Sequence, residues 1–348
     1  MSTAPVLAAP VSGTAQPLLS VDRLRVEVPT ASGWAPAVVD VSFDVARGET
    51  VGVVGESGSG KTLMSLALMG MSRATGARLA GGTVRFDGVD LAAAGDRAWR
   101  RLRGPGMGMI FQQPMRSLNP AYTVGDQIAE SVRRHLGLGR RAAMARAVEM
   151  LELVQIPRAA ERVHDYPHSF SGGMCQRVMI AMVMAAEPRL LIADEPTTAL
   201  DVTVQAKILR LISDIQEQTG IAVLLISHDL GVIAETCHRA VVMYAGESVE
   251  SGRVDDVFLG PRHPYTSALL GAVPSPGAVR RPGHRLLAIP GSIPRVGEAA
   301  PGCRFAPRCA HALAQCTATA VIENHTVADH AVRCVRHDSL SLQGVSIA

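Results

Sequence analysis

The sequence has few aromatic residues, almost no net charge and no long hydrophobic run. Phe, Trp and Tyr make up 3% of its 348 residues, which argues against base-stacking platforms for single-stranded nucleic acid. Its 34 basic residues nearly balance 31 acidic ones, leaving a formal charge of +3, whereas neutralising many phosphates takes a clear basic excess. We therefore expect no nucleic-acid partner.

No segment is long and apolar enough to predict a membrane span. The densest apolar stretch, Val178 to Ala186, is about half the required length. The first twenty residues contain three prolines and lack the basic start of a signal peptide. We expect residues 1–17 to be a flexible, unprocessed arm and the chain to remain in the cytoplasm.

Strand-like and helix-like segments alternate through the first two-thirds of the chain. Strands are predicted at 18–28, 37–45, 50–54, 189–194 and 221–227, from period-two alternation or continuous apolar runs. Helices are predicted at Lys61–Met71, Val124–Leu136, Arg141–Val154, Gly173–Ala186 and Val202–Thr219. This alternation predicts an α/β fold with a parallel sheet.

The composition divides the chain into three parts. After the arm of residues 1–17, residues 18–255 are expected to form the α/β domain. Within it, the block from about 114 to 186 is helix-rich, which predicts an inserted helical subdomain. From residue 256 prolines become frequent and four clustered cysteines follow. Residues 256–348 are therefore predicted to be a small, loop-rich C-terminal extension.

Residues 55–62, GESGSGKT, follow a predicted strand and precede a predicted helix, which is the context of a phosphate-binding loop, or P-loop. The glycines let backbone N–H groups turn toward a phosphate, and the helix N-terminus adds partial positive charge. Lys61, one of only two lysines in the chain, is expected to reach the β- and γ-phosphates, and Thr62 to bind Mg²⁺. The candidate nucleotide ligands are Gly55, Glu56, Ser57, Gly58, Ser59, Gly60, Lys61 and Thr62.

Two further motifs suit phosphate chemistry. Asp194 and Glu195 end an apolar strand, where Asp194 can serve Mg²⁺ and Glu195 can polarise an attacking water. Ser171, Gly172 and Gly173 open a helix with a second turn able to bind an anion. One γ-phosphate can use both turns only if the fold or a second subunit brings them together.

With Gln112 in FQQP, DEPTTALD at 194–201 and SHDL at 227–230, these motifs resemble the ATP-binding subunits of ABC transporters over roughly residues 18–255. The resemblance implies a P-loop ATPase core that pairs head to tail with a second ATPase. Each ATP would then lie between one P-loop and the partner's Ser-Gly-Gly turn. Ser171, Gly172, Gly173 and Asp201 are thus expected to act across the dimer.

The same resemblance implies roles around the reacting phosphate. Thr62, Gln112 and Asp194 are the expected Mg²⁺ residues. Gln112 is also expected to contact the transmembrane partner. Glu195 and His228 are the expected catalytic residues, and ATP and Mg²⁺ the expected cofactors. Members of the family often stack adenine on an aromatic residue. Here Val28 occupies that position by spacing, and Trp34 is the alternative.

The extension resembles one branch of this family. GPRHPYTSALLGAVPSP at 260–276, IPGSIP at 289–294 and PGCRFAPRCAHALAQC at 301–316 resemble the C-terminal extension of oligopeptide/dipeptide importers, a branch that also includes nickel importers. This implies a translocase at the cytoplasmic face of the bacterial inner membrane that energises uptake of peptides or a similar small solute. The implied partners are a second ATPase (a paralogue or a copy), two transmembrane permeases and an extracytoplasmic solute-binding protein. Nickel or another non-peptide solute is the alternative.

Cys303, Cys309, Cys316 and Cys334 are candidate metal ligands. Structural zinc sites usually contain closely spaced C-x₂₋₄-C pairs, which these positions lack. Wider spacing suits a 4Fe–4S cluster held by four thiolates, and some members of the branch carry one at such cysteines. Zinc and unligated thiols are the alternatives. Cys175, beside the Ser-Gly-Gly turn, is interpreted as a packing residue.

Three rival classes of protein fit the sequence less well. A soluble ABC ATPase acting on DNA would need a long coiled coil between Gln112 and Ser171, where only residues 113–170 lie. A translation-associated ABC protein would usually contain two ATPase cores, and this chain contains one. In the third class, an iron–sulfur redox protein with a regulatory nucleotide site, the cysteines would carry the activity. The sequence contains no Gly-rich redox-cofactor motif, which favours a structural cluster over an electron-transfer one.

Overall fold

The chain folds around two β-sheets with helices packed against them. This computed structural model describes residues 16–91, 95–113, 117–198, 200–272, 289–298, 301–318 and 321–345. Most of the predicted N-terminal arm, residues 1–15, therefore lies outside the described residues. The described strands are β1 (Leu19–Thr30), β2 (Gly33–Val45), β3 (Thr50–Val54), β4 (Arg78–Phe86), β5 (Val89–Asp90), β6 (Met107–Ile110), β7 (Leu190–Asp194), β8 (Ala222–Ile226), β9 (Arg239–Tyr244), β10 (Glu247–Arg253), β11 (His325–Val327) and β12 (His330–Val332).

The helices include short ones that the sequence patterns do not predict. They are α1 (Lys61–Leu68), α2 (Asp96–Leu102), α3 (Val124–Leu136), α4 (Arg140–Leu153), α5 (Ala159–Arg162), α6 (Gly172–Met184), α7 (Val202–Thr219), α8 (Leu230–Thr236), α9 (Val254–Leu259), α10 (Pro264–Gly271) and α11 (Gln315–Ala318). Among the described residues, none of them is both long and apolar enough to cross a bilayer.

The larger sheet contains the strands that precede residues 55–62, Glu195 and His228. Its order is β11-β12-β10-β9-β3-β8-β7-β6, and the five strands from β9 to β6 run parallel. Every residue of β3, β7 and β8 is buried, as expected for parallel strands covered on both faces. Their carboxyl ends meet at one edge, where such sheets bind ligands.

The smaller sheet is antiparallel, with the order β2-β1-β4-β5. The predicted strands 18–28 and 37–45 are confirmed as β1 and β2, although β2 begins earlier, at Gly33. The sequence patterns do not predict strands β4 and β6. Glycines interrupt β4, and β6 has only four residues, MGMI, too few to show a period.

The helical block between β6 and β7 contains α3, α4, α5 and α6 and, among the residues described there, no strand. Its buried face includes Ile128, Val132, Ala147 and Val178, which belong to one core with residues of the large sheet. Thr123 caps α3, and its hydroxyl accepts a hydrogen bond from the Asp126 N–H at 3.1 Å, an arrangement typical of helix starts. The exact subdomain boundaries, 114–186, stay a prediction.

The described residues beyond 256 pack against the rest of the chain. Strand β12 pairs with β10 and so adds β11 and β12 to the large sheet. The carboxylate of Glu250 on β10, fully buried, lies 2.7 Å from His330 Nε2 on β12. Two backbone N–H groups, of Arg262 and His263, also donate to Glu250. A buried carboxyl group needs hydrogen-bond partners, so these contacts fix the position of the extension.

Candidate functional site

The P-loop lies directly after the buried strand β3 and ends at α1. Gly58 and Gly60 adopt φ of +84° and +99°, values that favour glycine because a Cβ would be strained. At Gly55, a Cβ would stand only 2.1 Å from the Met243 carbonyl oxygen on β9. The loop is therefore held close to β9, and only glycine fits at its first position.

Lys61 points back into the loop. Its Nζ donates to the carbonyl oxygens of Gly55 at 2.7 Å and Glu56 at 3.0 Å. Burial lowers the pKa of Lys61, while the nearby carboxylates of Glu195, Asp194 and Glu56 oppose that shift. The carbonyl oxygens hold the ammonium at the base of the loop. From there it can donate charge-assisted hydrogen bonds to phosphate oxygens.

Asp194 ends β7 and is almost fully buried. Thr62 Oγ1 donates to its Oδ1 at 3.4 Å, so the two residues that the sequence assigns to Mg²⁺ are adjacent. Burial raises the pKa of Asp194 to about 6, and the hydrogen bond from Thr62 opposes that shift. Hydroxyl and carboxylate oxygens are the ligand types that Mg²⁺ prefers. The pair therefore fits a Mg²⁺ site.

Glu195 is the centre of a polar network. Its Oε2 accepts hydrogen bonds from Gln112 Nε2 at 2.7 Å and from Thr198 Oγ1 at 2.9 Å. Its Oε1 lies 3.6 Å from His228 Nδ1, whose ring is mostly exposed. The structure thus brings together Gln112 after β6, Glu195 after β7 and His228 after β8.

The backbone at Glu195 is unusual as well. Its φ is +46°, in the left-handed region that few non-glycine residues adopt, and such strain clusters at functional sites. The Glu195 N–H donates to the Ile226 carbonyl on β8 at 3.0 Å. This bond to the neighbouring strand fixes the turn and the direction of the carboxylate.

The Ser-Gly-Gly turn begins α6. Ser171 is its N-cap and accepts a hydrogen bond from the Met174 N–H at 3.4 Å. Ser171 and Gly172 are exposed, whereas a Cβ at Gly173 would meet the Val204 side chain on α7 at 2.6 Å. The turn is thus open to solvent and is fixed by close packing against α7.

Two residues near the turn have clear local roles. Asp201 caps α7 by accepting from the Val204 N–H at 3.0 Å. Cys175 is fully buried and its Sγ lies 3.5 Å from the Pro167 carbonyl oxygen. Burial also raises the pKa of Cys175, which fits its interpretation as a packing residue.

Both candidates for adenine contact lie on the β1–β2 hairpin. The Ala37 carbonyl oxygen on β2 is 3.0 Å from where a Cβ would stand on Gly60, so this strand borders the P-loop. Trp34, half exposed, has the Arg78 guanidinium 4.2 Å from its ring centroid. Val28 pairs with Ala35. The hairpin thus keeps both residues on the strands that border the loop.

Three residues contact the site although the sequence does not predict a role for them. Thr198 lies in the DEPTT run without an expected role, and its hydroxyl donates to the Glu195 carboxylate three positions earlier. Tyr265 and Arg308 lie in the C-terminal extension and both contact Glu56 of the P-loop. No local pattern could reveal those contacts, because they join residues more than 200 positions apart.

The four C-terminal cysteines line one small cavity of about 20 Å³, with Phe305 and His263. Burial raises the pKa of Cys303 to about 11 and also raises the pKa of Cys309 and Cys334. Neutral thiols in so small a cavity pack as apolar groups. Among the described residues, no group of three or more His, Cys, Asp or Glu is arranged to hold a metal ion.

Comparison with known proteins agrees with this geometry. The ABC transporter family pattern matches residues 38–198, and the pattern "Oligopeptide/dipeptide transporter, C-terminal region" matches residues 249–316. A Brucella abortus protein named "Putative peptide import ATP-binding protein" is 50% identical over 300 residues, covering 86% of this chain and 89% of that protein. A Brucella melitensis protein of the same name is 47% identical over 338 residues, covering 94% and 99%.

Solved structures agree on the fold. A dimeric ATP-binding cassette in a post-hydrolysis state, bound to ADP and Pi, aligns with a TM-score of 0.60 at 24% identity and covers 68% of this chain and 98% of that one. A Clostridium perfringens protein that is part of an ABC transporter complex also gives a TM-score of 0.60 at 24% identity, covering 70% and 91%. At that identity the likeness shows the fold alone.

The predicted α/β fold with a P-loop ATPase core is therefore confirmed. The chain belongs to the ATP-binding proteins of ABC transporters, and it is an ATPase of that family whose C-terminal part matches that of the oligopeptide/dipeptide transporters.

Proposed function

We propose that this chain is the ATPase subunit of an importer for di- or oligopeptides, and that it binds ATP at residues 55–62. The observation that carries the site assignment is the convergence of Lys61, Asp194, Glu195, Gln112 and His228 at the carboxyl ends of neighbouring parallel strands. Phosphoryl transfer needs this combination of a cationic cradle, a metal-binding acid and a base.

Glu195 is the proposed general base. In hydrolysis a water attacks the γ-phosphorus, the bond from that phosphorus to the β–γ bridging oxygen breaks, and Glu195 takes the proton of the water. Gln112 and Thr198 hold one carboxylate oxygen, which leaves Oε1 available to a water. His228, exposed beside that oxygen, is the proposed contact to the γ-phosphate.

Thr62, Asp194 and Gln112 are the proposed Mg²⁺ residues. Mg²⁺ bound there would neutralise charge on the β- and γ-phosphates. Support comes from the hydrogen bond between Thr62 and Asp194 and from the position of Gln112 against Glu195, the residue after Asp194.

A second ATPase subunit, a paralogue or a copy, is proposed to complete the site. The Ser171–Gly173 turn is an exposed helix N-terminus, and such ends attract phosphates. Placed against the P-loop of a partner, it would close the ATP between two subunits. Asp201 is proposed to lie at the same seam, where it also caps α7.

The remaining partners follow from membership in this transporter family. ATPases of ABC transporters work with transmembrane permease subunits, which we propose to be two separate chains here. An extracytoplasmic solute-binding protein is proposed as a further partner. The chain would then lie on the cytoplasmic face of the inner membrane, attached through the permeases.

Peptides are the proposed solute class because relatives that match nearly the whole chain are named for peptide import. Nickel or another small solute is the alternative, because the match to the C-terminal family pattern does not identify the solute. The proposed domains are the ATPase domain of residues 18–255 and the C-terminal extension of residues 256–348.

A 4Fe–4S cluster on Cys303, Cys309, Cys316 and Cys334 is also proposed. All four line one cavity, which supports a common ligand. The raised pKa values of Cys303 and Cys309 mean that binding of the cluster must release protons from these thiols. Zinc and free thiols are the alternatives to the cluster.

Glu195→Gln is expected to bind ATP but to lower turnover by at least ~10²-fold, the usual scale for removing a positioned base. Loss of the base should also trap ATP in a closed dimer. ATPase rates of the assembled transporter test this, with Glu217→Gln, an exposed acid on α7, as the control. Near wild-type turnover in Glu195→Gln would show that another group is the base.

The apparent Mg²⁺ affinity should depend on Asp194 ionisation. Because burial raises the pKa of Asp194 to about 6, its carboxylate becomes protonated as pH falls through that value. Mg²⁺ binding with ATP should then weaken by up to ~10-fold per pH unit below it. In Asp194→Asn, Mg²⁺ binding should be weak at every pH, and its remaining pH dependence should come only from protonation of ATP itself. Equal pH profiles for the two proteins would contradict the assignment.

Peptide uptake should separate the two solute hypotheses. Cells or vesicles containing the complete transporter are expected to accumulate labelled di- and tripeptides in an ATP-dependent manner, and Glu195→Gln should abolish this uptake. Nickel uptake measured in parallel should stay at the level of that variant. ATP-dependent nickel accumulation without peptide uptake would replace the peptide proposal with the alternative.

Protein purified without oxygen is expected to be brown, with broad absorption at about 400 nm and about four irons per chain. Replacing Cys316 by Ser should remove the iron and destabilise the extension, because bound metal contributes folding free energy. Cys175→Ser, outside the extension, should keep the iron. A colourless preparation with about one zinc per chain would favour the zinc alternative.

A further inference from the structure

Glu56, the second residue of the P-loop, is held from the C-terminal extension at two points. Its backbone N–H donates to the Tyr265 hydroxyl at 2.9 Å. Its carboxylate accepts from Arg308 Nη1, at 3.1 Å to Oε2 and 3.3 Å to Oε1. The extension therefore contacts both the backbone and the side chain of the phosphate loop.

The Arg308 guanidinium is held by further contacts besides Glu56. Its Nε donates to the Pro290 carbonyl oxygen at 2.7 Å, and its Nη2 to that of Ile289 at 3.4 Å. The guanidinium carbon also lies 5.7 Å from the Tyr244 ring centroid. With the Arg308 side chain only 6% exposed, little side-chain freedom remains to be lost when it pairs.

Tyr265 is equally constrained. It is fully buried on α10 and packs against Tyr244, with ring centroids 4.7 Å apart, and against Phe305 at 5.3 Å. Burial raises the pKa of Tyr265, so it presents a neutral hydroxyl to the loop. Tyr244 ends β9, the strand that lies beside β3, so the three rings connect the extension to the base of the P-loop.

The charge of Glu56 gives this contact a consequence for binding. A carboxylate beside a cradle for polyphosphate repels that ligand, and partly buried charges are screened little by salt. The carboxylate of Glu56 also acts on Lys61, whose pKa it raises against the larger effect of burial. An arginine that neutralises Glu56 removes the repulsion and keeps the carboxylate turned toward the extension.

We propose that Arg308 and Tyr265 are positioning residues for the P-loop, through which the C-terminal extension sets the affinity for ATP. Arg308 neutralises and turns the Glu56 side chain, and Tyr265 holds its backbone N–H. Both act through Glu56 without contacting the reacting atoms. The inference rests on the proposed ATP site at residues 55–62.

Arg308→Gln in the full-length chain should weaken MgATP binding by ~3- to 10-fold, the range of coupling between charged neighbours. In the assembled transporter it should raise KM for ATP by the same factor and leave kcat within about twofold, because only binding is affected. Arg308→Lys, which keeps the charge but not the planar fork, should recover part of the loss. Arg295→Gln, an exposed arginine of the same extension, should behave as wild type.

A double-mutant cycle separates positioning from general destabilisation. In a Glu56→Gln background the carboxylate charge is already gone, so Arg308→Gln should change MgATP affinity by less than about twofold. Tyr265→Phe keeps the ring packing and removes only the acceptor for the Glu56 N–H. It should weaken MgATP binding with only a small fall in the thermal midpoint, from the one N–H left without its acceptor, and it tests the proposal if Arg308→Gln does not fold.

Lys61→Ala distinguishes failure of this inference from failure of the site itself. If Lys61→Ala abolishes MgATP binding while Arg308→Gln and Tyr265→Phe bind as wild type, the site stands and the positioning role is overturned. Equal losses for Arg308→Gln with and without Glu56→Gln would also overturn it. Wild-type binding by Lys61→Ala would instead refute the proposed ATP site.

Discussion

The buried charge of Lys61 is the constraint on which the rest of the site depends. The residue is 5% exposed, and an unpaired ammonium at such a position would be strongly unfavourable. The loop therefore curls until its own carbonyl oxygens, of Gly55 and Glu56, reach Nζ. That curvature requires glycine at positions of positive φ and close contact with β9. The same loop conformation that gives Lys61 its hydrogen-bond partners therefore also forms the cradle in which a phosphate can bind.

The parallel sheet supplies the groups that face this charge. Because β6, β7 and β8 are neighbours in register, the residues that follow them meet at one edge. Gln112, Glu195 and His228 converge there although they lie far apart in the sequence. Glu195 is held in a strained turn by its N–H bond to β8. Such strain persists only when the surrounding structure over-determines it, and the neighbouring strand provides that restraint here.

The P-loop, the paired acids and the parallel strands are predictable from the sequence, because each depends on local spacing or on continuous burial. The TVGVV run before GESGSGKT is β3 as expected, and LLIAD is β7. Sequence patterns cannot reveal β6, whose four residues show no period. Nor can they place Arg308 beside Glu56, because that contact depends on how the extension docks. The expected roles of Ser171 and Asp201 come from the resemblance to a known family and not from periodicity.

The docking of the extension depends on three acids of the core, each of which meets a basic group from beyond residue 300. Glu56 forms an ion pair with Arg308, Glu247 forms ion pairs with Arg304 and Arg333, and Glu250 is within hydrogen-bond distance of His330. Buried ion pairs contribute little net stability, but leaving one partner alone is costly. They therefore penalise any displaced arrangement of the extension more than they favour the observed one. Arg304, Phe305 and Arg308 all lie between Cys303 and Cys309, so whatever fixes those two cysteines also fixes the segment that contacts the phosphate loop.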